Sequence, residues 1–183
     1  MTSKIFWFDT ETTGISAYKC CVIQLAALIE LDGEIVEALD IKFRPHDGAT
    51  IEKAALDVHG LSEEVLMTFD DPSIGMAALK TTLSSYVNKF DKNDKFLIAG
   101  YNVNFDIDHL RQMFLRSNDK YFGSFFFWPS IDVQHYVALE IAKGLRLPNY
   151  RLSTVCQHYG IKIDAHEALS DIEATRKLYL ALH

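Results

Sequence analysis

Residues 4 to 9, KIFWFD, place Ile5 and Trp7 on one side of an extended chain and Phe6 and Phe8 on the other. Both faces are apolar, the pattern of a central strand buried on both sides. The runs VIQLAALIEL (22 to 31) and IVEALDIKFRP (35 to 45) follow, and Asp32-Gly33 between them predicts a hairpin. These segments predict an antiparallel meander. IEKAALDVHGLSEEVL (51 to 66) reads as two short helices broken at His59-Gly60, with Ser62 and the glutamates after it suiting a helix start. Residues 75 to 89 carry amphipathic helical spacing, KFLIAGYN (95 to 102) is a short apolar strand, and FDIDHLRQMFLRS (105 to 117) is helical. SFFFW (124 to 128) reads as a further strand, with helices near 131 to 144 and 152 to 159 and a mostly helical close over 166 to 183. Three strands followed by alternating helices and strands predict an α/β domain with a mixed sheet. No repeat, low-complexity tract or linker divides residues 1 to 183, which read as a single domain.

The apolar first strand runs straight into Asp9 and Glu11. Positions two apart on a strand share a face, so two carboxylates stand side by side, and their like charges repel. Such a pair suits a hard divalent cation, Mg²⁺ or Mn²⁺, although a strand ending in the polar turn TETTG accounts for it as well. Asp106 joins Leu110, Met113 and Phe114 on one helical stripe, the buried face, whereas Asp108 falls about 200° around on the polar side. A first-turn acid serving the helix dipole is the plainer reading of Asp106. Asp171 shares the inward stripe Ala168, Ala174, Thr175, Leu178 and Leu182 and is expected a full turn inside its helix, with Glu173 its solvated counterpart. Three regions distant in sequence thus aim acids at the core side, and a shared metal site explains all four carboxylates together. His166, five residues before Asp171, belongs to the loop or cap before the helix, either as a surface histidine or as a group placed to take a proton from water.

Composition narrows the partners. The chain has 183 residues and is 49% hydrophobic, with no apolar run near the roughly 20 residues that span a bilayer, so no membrane partner is expected. An N-terminus entering a strand at once, and three cysteines read as free thiols (adjacent Cys20 and Cys21, distant Cys156), point to a cytoplasmic protein. The net charge of −7 argues against a general duplex binder, which displaces counterions with a basic face. It remains compatible with an enzyme that grips a short end through bound metal ions, acting weakly and distributively.

The motifs FDTETTG, YNVNFDIDHL and HEALSDIEAT, in this order, resemble those of the DEDDh group of 3′-to-5′ exonucleases, the DnaQ-like family. VHGLS and RLSTVCQHYGI fall where that family has similar segments, so the resemblance spans the chain. It implies an α/β, RNase H-like fold with a five-stranded mixed sheet flanked by helices. It assigns Asp9, Glu11, Asp106 and Asp171 to two Mg²⁺ or Mn²⁺ ions and makes His166 the general base for releasing nucleoside 5′-monophosphates. It also implies substrate contacts at Thr10, Thr12, Gly14 and Ile15 for the terminal nucleotide, at Val58 and His59 beside its base or sugar, and at Asn102 and Phe105 in the cleft. The partner is then a 3′ end of nucleic acid, mainly single-stranded, DNA or RNA. Some relatives are homodimers, and about a dozen residues after Asp171 leave no tail for docking on a polymerase, which favours a freestanding trimming or DNA repair nuclease. Two other readings compete. A haloacid-dehalogenase-type phosphatase needs an aspartate where this chain has Glu11, and a binding module without catalysis leaves the intact acids and His166 unexplained.

Overall fold

The structure is a computed structural model and describes residues 2–164 and 167–183. Its sheet has five strands: β1 (Lys4–Thr12), β2 (Val22–Leu31), β3 (Glu34–Lys42), β4 (Leu97–Gly100) and β5 (Ile131–Asp132), in the order β3-β2-β1-β4-β5. The first three form the expected antiparallel meander, and β4 and β5 add to the far side of β1 in parallel. Asp32 (φ 49°) and Gly33 (φ 90°) both turn left-handed between β2 and β3, the geometry that an Asp-Gly pair supplies at low cost.

Among the described residues there are seven α-helices: α1 (Lys53–His59), α2 (Glu63–Leu66), α3 (Pro72–Tyr86), α4 (Val103–Arg116), α5 (Val133–Ala142), α6 (Leu152–His158) and α7 (Ala168–Leu182). Phe6 and Phe8 face Met76, Leu79 and Leu83 of α3 and Val103, Ile107 and Leu110 of α4. Trp7 on the opposite face packs with Val133 and Val137 of α5 and Ala168, Ile172, Ala174 and Leu178 of α7. All three aromatic side chains are fully buried, each worth roughly 1.5–3 kcal/mol in apolar surface removed from water. This two-sided burial is why β1 holds its course and presents its C-terminal half rigidly. Among the described residues no helix is long and apolar enough to cross a membrane.

Glu30 on β2 is buried beneath α7, and it is fully answered. Trp7 Nε1 donates to it at 3.0 Å and Arg176 Nε at 2.6 Å. All three cysteines are free and buried, as their spacing suggests.

Two expectations change. The strand expected at 124 to 128 contributes only a bridge between Phe96 and Phe126, and the fifth strand lies later, at Ile131–Asp132. A 3-10 turn at Phe122–Ser124 and Pro129, which has no N–H for a ladder, break the apolar run before it can extend. Asp171 also lies in the first turn of α7, its N–H closing on the carbonyl of Glu167 at 2.9 Å, rather than a full turn inside.

Candidate active site

The parallel pairing of β1 with β4 covers only Ile5 to Trp7 against Leu97 to Ala99. Beyond Trp7, β1 continues along β2 to Thr12 while the chain after β4 turns away through Gly100, opening a cleft at the carboxyl ends of the parallel strands. Such a crevice, beside a central strand where the connections leave in opposite directions, is where open α/β sheets place ligands. Gly100 permits the close approach, since a Cβ there would stand 2.9 Å from the Phe8 carbonyl oxygen. The next turn holds Asn102 left-handed (φ 57°), with Asp132 Oδ1 accepting from its N–H at 2.9 Å. The same oxygen caps α5 by accepting from Gln134 N at 3.0 Å, so the starts of α4 and α5 are tied together at the cleft.

Asp9, Asp106 and Asp171 line this cleft, of about 590 Å³, together with Thr10, Asn102, Phe105, Tyr101, Tyr150 and Arg151. α4 brings Asp106 to β1, where the Thr10 N–H (3.0 Å) and hydroxyl (2.6 Å) both donate to its Oδ1. Glu11, two residues on from Asp9, lines a second cleft of about 250 Å³ with Thr12, Gly14, Ile15, Val58 and His59, and Thr10 borders both. His166 lies outside the described residues. Each other residue singled out from the sequence therefore borders one of two adjoining clefts.

Burial and the nearness of other acids dominate the electrostatics of Asp9, Glu11 and Asp106. Burial first, then the charges of Asp106, Glu11 and Asp171, hold the Asp9 carboxyl well above the usual carboxylate range. Burial and then Asp171 raise Glu11 to about 7. Burial raises Asp106 to about 7 against the opposing pull of the Thr10 hydrogen bonds, with Glu11 adding to the rise. Among the described residues no lysine or arginine forms a salt bridge with Asp9, Glu11 or Asp106. Acids from β1, α4 and α7 thus lie close enough that burial and neighbouring charge disfavour ionisation of Asp9, Glu11 and Asp106.

Hard oxygen donors in this number match the ligand chemistry of Mg²⁺ or Mn²⁺. Among the described residues, however, no three His, Cys, Asp or Glu side chains form a group ready to hold an ion as they stand. Part of the reason is visible, since Asp106 turns Oδ1 back onto Thr10. The donor chemistry and the charge fit a divalent cation, and the side-chain orientations require adjustment to close on one.

Sequence reasoning missed Glu52, Tyr101, Tyr150 and Arg151. Glu52 lines the second cleft, accepts from the Ile15 N–H at 3.4 Å, and packs so tightly under the loop that a Cβ at Gly14 would come within 2.4 Å of its carboxyl carbon. Gly14 hinted only at a turn. Tyr101 donates its hydroxyl to the Tyr150 carbonyl at 2.5 Å, holding the segment before α6 across the cleft and setting Arg151 at its wall. RLSTVCQHYGI, which begins with Arg151, was the available signal. In the second cleft, His59 Nδ1 accepts from Leu61 N at 3.2 Å, and burial lowers the pKa of its ring. Its Nε2 is buried without a hydrogen-bond partner among the described residues, while Ile15 and Val58 expose apolar surface at the rim. A third cavity, about 330 Å³ beside Phe43, Met76 and Met113, contains none of the candidate residues.

The RNase T family model, described as exonuclease, matches residues 6–179. The chain belongs to this exonuclease family. Escherichia coli exonuclease I in its zinc-bound complex with single-stranded DNA superposes with a TM-score of 0.77 at 21% identity, over all of this chain and 40% of that one. Its complex with a dA16 oligonucleotide gives 0.76 at 20% identity, over 98% and 40%. The RNase H-like fold is therefore shared. In sequence, the chain is 31% identical over 171 residues to the PolC-type DNA polymerase III of Oceanobacillus iheyensis, covering 92% of this chain and 10% of that protein. The Bacillus subtilis counterpart is 27% identical over 180 residues, covering 96% and 11%. The exonuclease-family chain thus spans about a tenth of the length of these curated relatives, and the position of its last residue says nothing for or against a polymerase partner.

Proposed function

We propose that this chain, a single exonuclease domain over residues 1 to 183, hydrolyses phosphodiester bonds stepwise from the 3′ end of single-stranded DNA or RNA and releases nucleoside 5′-monophosphates. The observation that carries the proposal is the convergence of Asp9, Glu11, Asp106 and Asp171 on two adjoining clefts at one edge, with burial and nearby acids raising the first three above their ordinary range. Membership of the exonuclease family supports it, as does the single-stranded DNA bound by exonuclease I, a protein of the same fold.

Asp9, Glu11, Asp106 and Asp171 would hold two Mg²⁺ or Mn²⁺ ions, which supply Lewis-acid activation of water and stabilise charge on the scissile phosphate. Thr10 holds Asp106 in place through its N–H and hydroxyl. Arg151 meets a backbone phosphate at the cleft wall, and Phe105, packed at a tilt against His109 with ring centroids 4.5 Å apart, offers a face to a base without choosing among bases. Ile15, Val58 and His59 border the terminal nucleoside. His166, by the family resemblance, takes the proton from the attacking water.

The deciding experiment uses a 5′-labelled single-stranded oligonucleotide with Mg²⁺ or Mn²⁺. The proposal expects a ladder shortening from the 3′ end, lost in Asp9→Ala, and a flattened pH profile in His166→Ala. Internal cuts would contradict an exonuclease, and activity surviving Asp9→Ala would remove the metal assignment. Binding without cleavage by the wild type would leave a binding module.

A further inference from the structure

Among the described residues, five Phe, Tyr or Trp side chains are exposed, and four of them, Phe90, Tyr121, Trp128 and, less fully, Phe127, lie in two loops at one end of β4. The loops 87–96 and 117–130 are stitched together there. Phe96 N donates to the Phe125 carbonyl at 2.9 Å, Phe127 N to that of Phe96 at 2.8 Å, and Lys95 Nζ to that of Gly123 at 2.5 Å. Beneath them Phe122 packs on Phe126 (4.8 Å) and edge-on against Phe114 (5.4 Å), so the exposed rings stand on a firm base. Tyr121 and Trp128 nonetheless leave 71% and 66% of their surface to water, which no core requirement explains.

Cations lie over these rings. The Arg111 guanidinium stands 5.2 Å from the Phe122 centroid and 5.8 Å from that of Trp128, Lys95 Nζ is 5.9 Å from Phe127, and Lys89 Nζ is 5.5 Å from Phe90. The local acids are mostly spent, Asp94 on Lys4 and Asp119 on Lys80. Asp91 is exposed in the same loop and Asp108 on the outer face of α4. Among the described residues Lys89, Lys92, Lys95, Arg111 and Lys120 form no salt bridge. In a chain of net charge −7 this is a local concentration of unspent positive charge beside flat apolar faces.

We infer that Tyr121, Phe127 and Trp128, with Lys95 and Arg111 among them, form a stacking platform for single-stranded nucleic acid, separate from the acid cleft. Every base has a π-face, so such a surface holds a strand without reading its sequence, while the cations meet the phosphates. α4 joins the two regions, with Asp106 near its start at the cleft and Arg111 roughly 7.5 Å further along its axis. The inference extends the proposed exonuclease reading, placing here the part of the strand that trails away from the 3′ end. Trp, Tyr and Arg also favour protein interfaces, but the interleaved cations favour a polyanion.

The test is fluorescence anisotropy in EDTA, where no chemistry intervenes, with labelled oligothymidylates of about 4 and about 16 nucleotides, spanning common single-strand site sizes. The wild type should bind the longer strand more tightly, and Trp128→Ala and Tyr121→Ala should each weaken that binding about fivefold or more, erasing the length dependence. Trp128→Phe, which keeps a ring, should restore most of it, and Arg111→Gln should flatten the salt dependence by about 0.7 of a logarithmic slope unit. Unchanged affinity for the long strand would overturn the platform and leave this surface to a protein partner. Equal losses at both lengths would overturn it too. The binding and the cleavage assays fail independently, so a platform can be lost with the exonuclease intact, and the reverse.

Discussion

Glu30 and the Asp9–Glu11 pair sit on neighbouring strands, Glu30 buried and the pair half-buried at the cleft. Glu30 is met by the Trp7 indole and the Arg176 guanidinium and belongs to the packing of α7 against the sheet. Asp9 and Glu11 meet further acids instead, and burial with repulsion raises their proton affinity. A buried acid answered by its own chain is structural. Acids that crowd one another without a lysine or arginine salt bridge to Asp9, Glu11 or Asp106 among the described residues store repulsion that a bound cation would relieve.

The largest effect should separate these roles by activity. Asp9→Asn should lower hydrolysis about a thousandfold or more, the several kcal/mol attributed to metal-stabilised charge, while leaving the metal-free protein no less stable in a thermal melt. Glu30→Ala should do the opposite. It leaves Arg176 with the Gly33 carbonyl but no carboxylate and costs about 3 kcal/mol of stability by denaturant titration, with turnover kept below the melting range.

Next is a pH effect. Unfolded Glu11 titrates near 4.5 and the folded residue near 7. Below the lower value both states hold the proton and no penalty exists. As pH rises the unfolded state charges first, so metal-free stability falls, and the loss is complete above about pH 7. Glu11→Gln should recover about 2 kcal/mol there after allowing for its partial contact with solvent, and Mn²⁺ should recover it in the wild type. A metal-free melting temperature that climbs between pH 5 and 7.5 would break the contrast. The smallest effect is at Phe105, where Phe105→Ala should raise KM for a short oligonucleotide by about five- to tenfold with little change in kcat, the range of one stacked base.

Local periodicity made the meander, the buried stripe of α4 and the inward face of α7 readable, because burial on a regular element imprints its period on the sequence. The fifth strand escaped, since SFFFW is apolar for a different reason: Phe125 and Phe126 fill the core while Phe127 and Trp128 point to solvent. The acids were legible as odd residues on apolar faces. Glu52 and Arg151 were not, because loop packing across Gly14 and the Tyr101–Tyr150 hydrogen bond set them in place, and neither leaves a periodic trace. Net charge is silent on placement, for an average of −7 hides where Lys95 and Arg111 stand beside exposed rings.

The central claim is that the acid cluster is a cation site. Calorimetric titration of Mn²⁺ into the metal-free protein near pH 6.5, in two buffers of different ionisation enthalpy, tests it most directly. Two ions should bind per chain with release of about one proton or more, as carboxyls raised toward 7 surrender their protons. Asp9→Asn should abolish at least one of the two. Binding without proton release, or undiminished in Asp9→Asn, would contradict the claim.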